Sequence, residues 1–276
     1  MPAGIYTTSS PEQCSYVAGH SESAVAFAEN EKQVAKFTTI RGSLPKLKLI
    51  VQMIGEPTAK DSSAGVLSWS GFLELGANVP DADLDARIST QQPSDVCTLI
   101  YTSGTTGDPK AVMITHENVT VTADRAVTLL GFGEQDRGVS YLPLSHIAEQ
   151  LLTIHAPMRM GASITFAESM EKVLDANLEV RPTFFVGVPR VWEKMQAKIM
   201  KGVSESSPIK QKIFAAARAT GLEAAHALER GSDPGLKYKL FDRLVYAPLR
   251  KKLGLDASRI AVSSAAPISK ATLEFF

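Results

Sequence analysis

The sequence predicts an α/β fold in which parallel sheets are flanked by helices. Short apolar segments alternate with amphipathic segments that carry helix-capping residues, and this alternation begins within the first ten residues. Strands that alternate with helices along a chain pair in parallel through right-handed crossovers. A length of 276 residues with 44% hydrophobic residues is enough to bury a sizeable core, in one large or two small domains.

The amino-terminal segment has the order strand, helix, strand, helix, strand. Ser10 and Gln13 have capping-box spacing for the first helix, and Gly19 is expected to end it in a left-handed conformation. Asn30 and Gln33 repeat the capping spacing for the second helix. The three predicted strands are residues 4–7, 24–28 and 46–53.

The rest of the chain continues the alternation after a polar interval. Residues 55–95, rich in Pro, Ser, Asp and Gly, predict a surface connection with one short helix. One helix is expected between Pro189 and Gly202, and another from Pro208 to Gly231, while Ser269 is a candidate N-cap. The predicted apolar side of the first of these helices consists of Val191, Trp192, Met195 and Ile199. The remaining predicted elements are a strand, glycine-rich loop and strand at 95–116, and strands at 162–166, 183–188 and 260–264.

The amino-acid composition indicates which classes of partner to exclude and which cellular compartment to expect. The formal net charge is zero, so the chain has no general field that would attract nucleic acid. Two cysteines, Cys14 and Cys97, are too few for a disulfide scaffold and favour a reducing compartment. No apolar run reaches the length of a membrane span. A cytoplasmic protein is expected.

The most informative segment is YTSGTTGDPK at residues 101–110. Gly104 and Gly107 let the backbone approach an oxyanion, and Lys110 adds a point positive charge. The segment is not the P-loop of ATPases, because Pro109 stands where that motif has glycine. A flap over phosphates is therefore predicted between two strands, and a polar hairpin without a ligand is the alternative. The loop hydroxyls are those of Thr102, Ser103, Thr105 and Thr106.

With the segment that follows it, VMITHENV, this loop resembles the phosphate-loop signature of the AMP-forming acyl-CoA synthetases in the adenylating superfamily. YLPLSHIAEQ (141–150), PTFFVGVPRVWEKM (182–195) and SSAAPIS (263–269) resemble the next blocks in the expected order. The amino-acid sequences of these blocks, and of GIYTTSSPEQCSYV near the start, are most similar to the long-chain and very-long-chain branch, in particular the bubblegum type. The resemblance implies part of the large N-terminal domain of that superfamily.

The resemblance implies a two-step ligation with ATP, Mg²⁺ and CoA. A fatty acid is activated to an acyl-adenylate, and CoA then displaces AMP to give acyl-CoA. Residues 1–276 are expected to be a partial AMP-binding domain, truncated at both ends and lacking the small C-terminal domain, so that the isolated fragment is inactive. Two alternatives stay open: adenylation of an aryl or amino acid, and a non-catalytic nucleotide-binding or interaction module.

The resemblance also assigns roles to residues. Thr105 is the implied Mg²⁺ ligand, and Lys110 a catalytic cation. His146 is implied to line the site where acyl group and adenylate meet, although a histidine satisfied by its own backbone is the alternative. The implied phosphate contacts are Thr102, Ser103, Gly104, Thr105, Thr106, Gly107 and Lys110. The implied adenine contacts are Ser264, Ala265, Ala266 and Pro267, with an ordinary strand-to-helix turn as the alternative.

Two positions depart from the family pattern, and one segment suggests a further contact. Ala111 and Ser264 stand where the family usually has glycine, so a positive φ at either position would strain the backbone. Residues 236–253 mix five leucines with six basic residues, which predicts either a peripheral membrane contact or a solvated helical face.

Overall fold

The structure, a computed structural model, describes residues 1–102 and 108–276 in two compact units. Unit 1 consists of Met1–Leu130 and Leu142–Arg159, and unit 2 consists of Gly131–Tyr141 and Met160–Phe276. Within the described ranges, none of the helices combines the length and apolarity needed to cross a membrane.

Unit 1 contains a parallel sheet and an antiparallel hairpin. In the sheet, β1 pairs with β2 and β2 with β3, all in parallel, while β4 and β5 form the hairpin. The elements are α1 (Pro11–His20), β1 (Val25–Ala28), α2 (Glu31–Ile40), β2 (Leu49–Gln52), α3 (Ala59–Ser63), β3 (Val66–Ser68), α4 (Trp69–Leu75), α5 (Asp81–Ser89), β4 (Val96–Thr102), β5 (Lys110–Thr115), α6 (His116–Leu130), α7 (Ile147–Gln150), a π-helical turn (Leu151–His155) and α8 (Ala156–Met160).

The predicted helix starts in unit 1 are confirmed. The Ser10 hydroxyl accepts from the backbone N–H of Gln13 at 3.3 Å, and the Gln13 side chain accepts from the N–H of Ser10 at 2.9 Å. Asn30 caps α2 by accepting from the N–H of Gln33 at 3.3 Å. These bonds satisfy amide groups that have no partner inside the helix.

Other expectations for unit 1 were wrong. Residues 4–7 form no strand, because the isolated bridge from the preceding residue, Ala3, to Leu99 does not extend into a ladder. Helix α1 does not end at Gly19 but continues to His20, and the left-handed residue beyond it is Glu22, with φ of 53°. The end of this helix is therefore set one turn later than the glycine signal indicated.

The interval 55–95 is more ordered than one short helix. It contains α3, β3, α4 and α5. Strand β3 forms because the edge of β2 offers it a partner, with Ile50 opposite Val66. The ring of Phe27 on β1 packs at 5.2 Å between centroids against Phe72 of α4. Long-range pairing thus ordered a segment whose local composition predicts loop.

Unit 2 is built from parallel strand pairs covered by helices. Strand β6 pairs with β7 and β8 with β9, all in parallel as predicted. The backbone N–H of Thr183 donates to the carbonyl of Arg137 at 2.9 Å, which joins the two pairs. The elements are β6 (Arg137–Ser140), β7 (Ser163–Phe166), α9 (Val173–Val180), β8 (Phe184–Gly187), α10 (Pro189–Ser204), α11 (Pro208–Glu229), α12 (Gly235–Phe241), a π-helical turn (Asp242–Tyr246), α13 (Ala247–Leu253), β9 (Ile260–Ser263) and α14 (Lys270–Leu273).

Helix α10 supplies much of the core of unit 2. Pro189 occupies its first turn, as predicted, but Gly202 does not end it, and the helix runs on to Ser204. The predicted apolar face is confirmed, since its four members are buried. They are Val191, Trp192, Met195 and Ile199.

Candidate functional site

The ends of the β4–β5 hairpin hold two residues of the predicted phosphate loop. Thr102 is the last residue of β4 and Lys110 the first of β5, and the two lie opposite each other in the antiparallel register. Both are exposed, so their polar groups can contact a ligand. The other predicted phosphate contacts, Ser103, Gly104, Thr105, Thr106 and Gly107, lie outside the described residues.

A partly buried cluster of aromatic rings anchors the hairpin. The hydroxyl of Tyr16 on α1 donates to the carbonyl of Pro109 at 2.9 Å. The Tyr101 hydroxyl and the Nδ1 atom of His20 are 2.9 Å apart, and the ring of Tyr101 meets that of Tyr16 edge-on at 6.4 Å. Burial raises the pKa of the Tyr101 hydroxyl, which keeps it protonated. Sequence reasoning missed this support because its members lie more than 80 residues apart.

The two departures from the family's glycine pattern cause no strain at their own positions. Ala111 pairs with Tyr101 in the β4–β5 ladder, and the only described non-glycine residues with positive φ are Glu22, Arg181 and Ala265. Strain instead falls on Ala265, whose φ is 73°.

His146 is exposed and caps the short helix α7. Its Nδ1 atom accepts from the backbone N–H of Ala148 at 3.2 Å. An Nδ1 lone pair used in this way places the proton of the neutral ring on Nε2. The backbone bond of the alternative interpretation is therefore present, and it leaves an Nε2–H that can donate to a ligand oxygen.

A mainly apolar cavity of about 860 Å³ lies in unit 1, next to the segment that carries His146. Leu144, Ser145 and Met158 are among the residues that line it. The Ser145 hydroxyl and the Nε2 atom of His155 are buried and have no hydrogen-bond partner among the described residues. Burial lowers the pKa of His155, so its ring tends to be neutral. The cavity can thus hold an apolar chain, and its wall contains two buried polar atoms that have no protein partner among the described residues.

The predicted adenine segment lies at the carboxyl ends of β8 and β9. The N–H of Ser264 donates to the carbonyl of Gly187 at 3.2 Å, and residues 264–267 are exposed. The indole Nε1 of Trp192 donates to Gly187 at 3.2 Å and to Val262 at 3.3 Å. A Cβ at Gly187 would lie 2.5 Å from that Nε1, so this close packing requires glycine. The carboxyl edge of parallel strands is where α/β sheets bind ligands.

The described residues provide no metal-binding cluster of their own. Residues 1–102 and 108–276 contain no group of three or more His, Cys, Asp or Glu side chains that could hold a metal ion. Thr105, the predicted Mg²⁺ contact, is outside the described residues.

Comparison with known proteins gives matches to one enzyme family over the whole chain. The AMP-binding enzyme family matches residues 1–276. The long-chain-fatty-acid–CoA ligase ACSBG2 of Xenopus laevis is 45% identical over 281 residues, which cover 99% of this chain and 38% of that protein. The long-chain-fatty-acid–CoA ligase ACSBG1 of Homo sapiens is 38% identical over 280 residues, with 99% and 38% coverage. The chain thus spans about two fifths of the length of these relatives.

Solved structures of similar fold include two that bind adenylates or AMP. The anthranilate CoA ligase AuaEII, solved with anthranoyl-AMP, has a TM-score of 0.59 and 27% identity, and covers 69% of this chain and 35% of that one. The A-PCP didomain of a carboxylic acid reductase from Segniliparus rugosus, solved with AMP, has a TM-score of 0.63 and 19% identity, with 98% and 36% coverage. The second likeness supports the α/β fold alone.

Proposed function

Because this chain belongs to the family of AMP-binding enzymes, we propose that it forms part of a long-chain fatty acid:CoA ligase that activates its acid with ATP. The observation that carries the proposal is the hairpin that presents Thr102 opposite Lys110 at the two ends of the phosphate loop. The choice of a fatty acid is supported by relatives, 38–45% identical, that are named long-chain-fatty-acid–CoA ligases.

In the first proposed step, a carboxylate oxygen of the fatty acid attacks the α-phosphorus of ATP. A new oxygen–phosphorus bond forms, the bond to the bridging oxygen breaks, and pyrophosphate leaves with its electron pair. Negative charge grows on the departing oxygens, so a positioned cation stabilises the transition state more than the ground state. Lys110 supplies this cation, and Thr102 to Gly107 supply hydroxyl and N–H donors to the β- and γ-phosphates.

In the second proposed step, the CoA thiolate attacks the acyl carbon of the adenylate. A thioester bond forms, the acyl–oxygen bond to AMP breaks, and AMP leaves. His146 donates its Nε2–H to an oxygen of the reacting carboxyl group, which orients that group for both steps. Mg²⁺, with Thr105 as its proposed protein contact, would neutralise phosphate charge when bound with ATP.

We assign the alkyl chain and the adenine to separate surfaces. The cavity of unit 1 has the size and apolar lining typical of ligand sites and accepts the alkyl chain. In unit 2, Ser264, Ala265, Ala266 and Pro267 border the adenine, which is supported by their exposure at the carboxyl edge of β8 and β9.

A chimera tests the proposed reaction. Residues 1–276 replace the matching segment of the Xenopus laevis ligase, and palmitate-dependent exchange of pyrophosphate into ATP is measured together with formation of palmitoyl-CoA. Lys110→Ala is expected to lower kcat/KM for exchange about 100-fold, the effect of removing one preorganised donor. Lys60→Ala, which removes another exposed lysine of unit 1, is the matched control and leaves exchange unchanged. Equal rates for the Lys110 variant and the parent chimera would contradict the proposal.

The same chimera decides between the fatty acid and the alternatives. The likeness to an anthranilate CoA ligase favours an aryl acid as the second candidate substrate. Exchange that depends on anthranilate and not on palmitate would establish that candidate. Binding of ATP without exchange for either acid would identify a non-catalytic nucleotide-binding module.

We also propose a cytoplasmic protein that touches a membrane from one side. The described thiols of Cys14 and Cys97 are free, in keeping with a reducing compartment. Leu236 is 83% exposed and Leu240 57% exposed, among several basic side chains. Such a face supports peripheral binding to anionic lipid. Lys237→Glu together with Arg243→Glu is expected to reduce flotation of the chimera with phosphatidylserine vesicles, and unchanged flotation would contradict the contact.

A further inference from the structure

Unit 2 contains a second apolar depression, which the proposed reaction does not use. This groove, about 660 Å³ in volume, lies between the carboxyl-terminal half of α10, the start of α11 and α13. Its apolar walls include Ile199, Val203, Phe214 and Leu249. A trough of this size and lining is suited to an aliphatic chain.

The rim of the groove is positive. Lys198, Lys210 and Lys252 line it and are exposed, and none of the described residues that line it is Asp or Glu. Within the part of the chain that the structure describes, none of these three lysines forms an ion pair with a carboxylate. An apolar trough with three lysines on its rim is complementary to one chain that ends in an anion.

The groove is remote from the adenine segment along α10. Helix α10 starts at Pro189, two residues after the carboxyl end of β8. Gly202, farther along the same helix, lines the groove. At about 1.5 Å per residue, Gly202 lies about 20 Å along the helix axis from Pro189. The groove is therefore a separate site within unit 2.

We propose that this groove binds one long-chain carboxylate, with its alkyl chain in the trough and its carboxylate against the three lysines. The site is distinct from the unit 1 cavity, so the protein binds a fatty acid at two places. Only the choice of a carboxylate over other anionic head groups rests on the proposed function. The groove's own shape and charge do not depend on adenylation.

Gly202 gives a way to fill the groove without disturbing the fold. It lines the groove, its φ lies outside the left-handed region, and a Cβ placed on it meets no heavy atom within 4 Å. Gly202→Phe should therefore occupy the trough, and it replaces a glycine inside a helix by a better helix former. Gly42→Phe is the matched control, because a Cβ there is equally unobstructed and Gly42 does not line the groove.

Binding of dodecanoate to the chimera is measured by titration calorimetry without ATP, in a Lys110→Ala background that prevents turnover. The expected result is one dodecanoate site fewer in Gly202→Phe than in the parent and in Gly42→Phe, with the unfolding midpoint of Gly202→Phe at or above that of the parent. The same number of sites in Gly202→Phe as in the parent would overturn the proposal. Failure of pyrophosphate exchange would contradict the proposed reaction and leave this result unaffected.

The role of the three lysines is tested by comparing the binding of an anionic probe with that of an uncharged probe of the same chain length. Changing Lys198, Lys210 and Lys252 to Gln together is expected to weaken dodecanoate binding at the groove roughly tenfold, as the sum of three exposed charge contacts. Binding of dodecan-1-ol should be unchanged. Equal loss for both probes, or loss for neither, would overturn the charge assignment. If these variants abolish flotation with phosphatidylserine vesicles and leave dodecanoate binding intact, the groove is a membrane face and the proposal is wrong.

Discussion

Replacing Asp136 by Asn is expected to lower the free energy of unfolding of unit 2 by about 2 kcal/mol. The Asp136 carboxylate, whose side chain is 8% exposed, accepts from the Thr183 hydroxyl at 2.5 Å, from the N–H of Gly133 at 2.9 Å and from Arg259 at 2.6 Å. Asn keeps one acceptor oxygen and turns an NH₂ group toward a donor, so at least one charged hydrogen bond is lost. Because Arg259 is 42% exposed, water compensates part of the loss, and the figure stays below the 3–5 kcal/mol of a fully buried pair.

The same network gives a pH dependence with a definite sign. Burial by itself would raise the pKa of Asp136, but hydrogen bonds from Thr183, Arg259 and Gly133 and the charge of Arg259 outweigh it and hold the pKa below its usual range. An unfolded Asp has a pKa of about 3.9, so the stabilisation is present above that pH and is lost as the pH falls through the lower folded pKa. The difference between the parent and Asp136→Asn should therefore be constant near neutral pH and shrink below about pH 4.

Urea unfolding followed by the fluorescence of Trp192 measures this difference. The chain has two tryptophans, so Trp69→Phe is introduced in every variant to leave the buried Trp192 as the reporter of unit 2. Asp175→Asn is the matched control, because Asp175 pairs with Lys172 on the surface of the same unit, with side chains 65% and 57% exposed, and it should cost less than about 0.5 kcal/mol. A loss below about 0.5 kcal/mol for Asp136→Asn, or a difference that does not change with pH, would refute the reasoning.

Three backbone and packing predictions also use urea unfolding. Gly254→Ala should destabilise unit 2 by about 3 kcal/mol, because Gly254 has φ of 71° and a Cβ would collide with the backbone of Asn177; a loss under about 1 kcal/mol would contradict this. Ala265→Gly should leave stability unchanged or raise it by up to about 1 kcal/mol by relieving the left-handed alanine, whereas Ala266→Gly should lower it by about 0.5–1 kcal/mol; equal effects would contradict the strain at Ala265. Trp192→Ala, read by circular dichroism instead, should cost about 3–5 kcal/mol, and a small effect would show that its packing is not needed.

Sequence patterns predicted the elements whose signals are local. The caps at Ser10 and Asn30 and the buried face of α10 depend on residues within four positions of each other, and all were confirmed. Which strands pair with each other was harder to predict from the sequence. Strand β3 was missed because its main support is the edge of β2. The strand expected at residues 4–7 was wrong because the bridge from the neighbouring Ala3 to Leu99 does not continue into that stretch.

The candidate site also contains features that the local sequence predicted and features that depend on long-range contacts. The loop motif and the segments at His146 and Ser264 could be found from the sequence, because each is a short run of specific residue types. The cluster of Tyr16, His20 and Tyr101 could not, since no periodicity relates an early helix to a later strand. The roles of residues 103–107, including Thr105 toward Mg²⁺, remain predictions that the described residues do not test.

The order of residues alone therefore determined where helices begin and which faces are apolar, and it predicted which loop binds phosphate, because these depend on neighbours a few bonds away. Only the folded chain decided that Ala111 is unstrained, that Ala265 carries the positive φ and that the Nδ1 atom of His146 caps α7. It also decided that three lysines from separate helices border one groove. Backbone angles and charge clusters of this kind arise when strands pair and helices pack, so they are properties of contacts between residues distant in the chain.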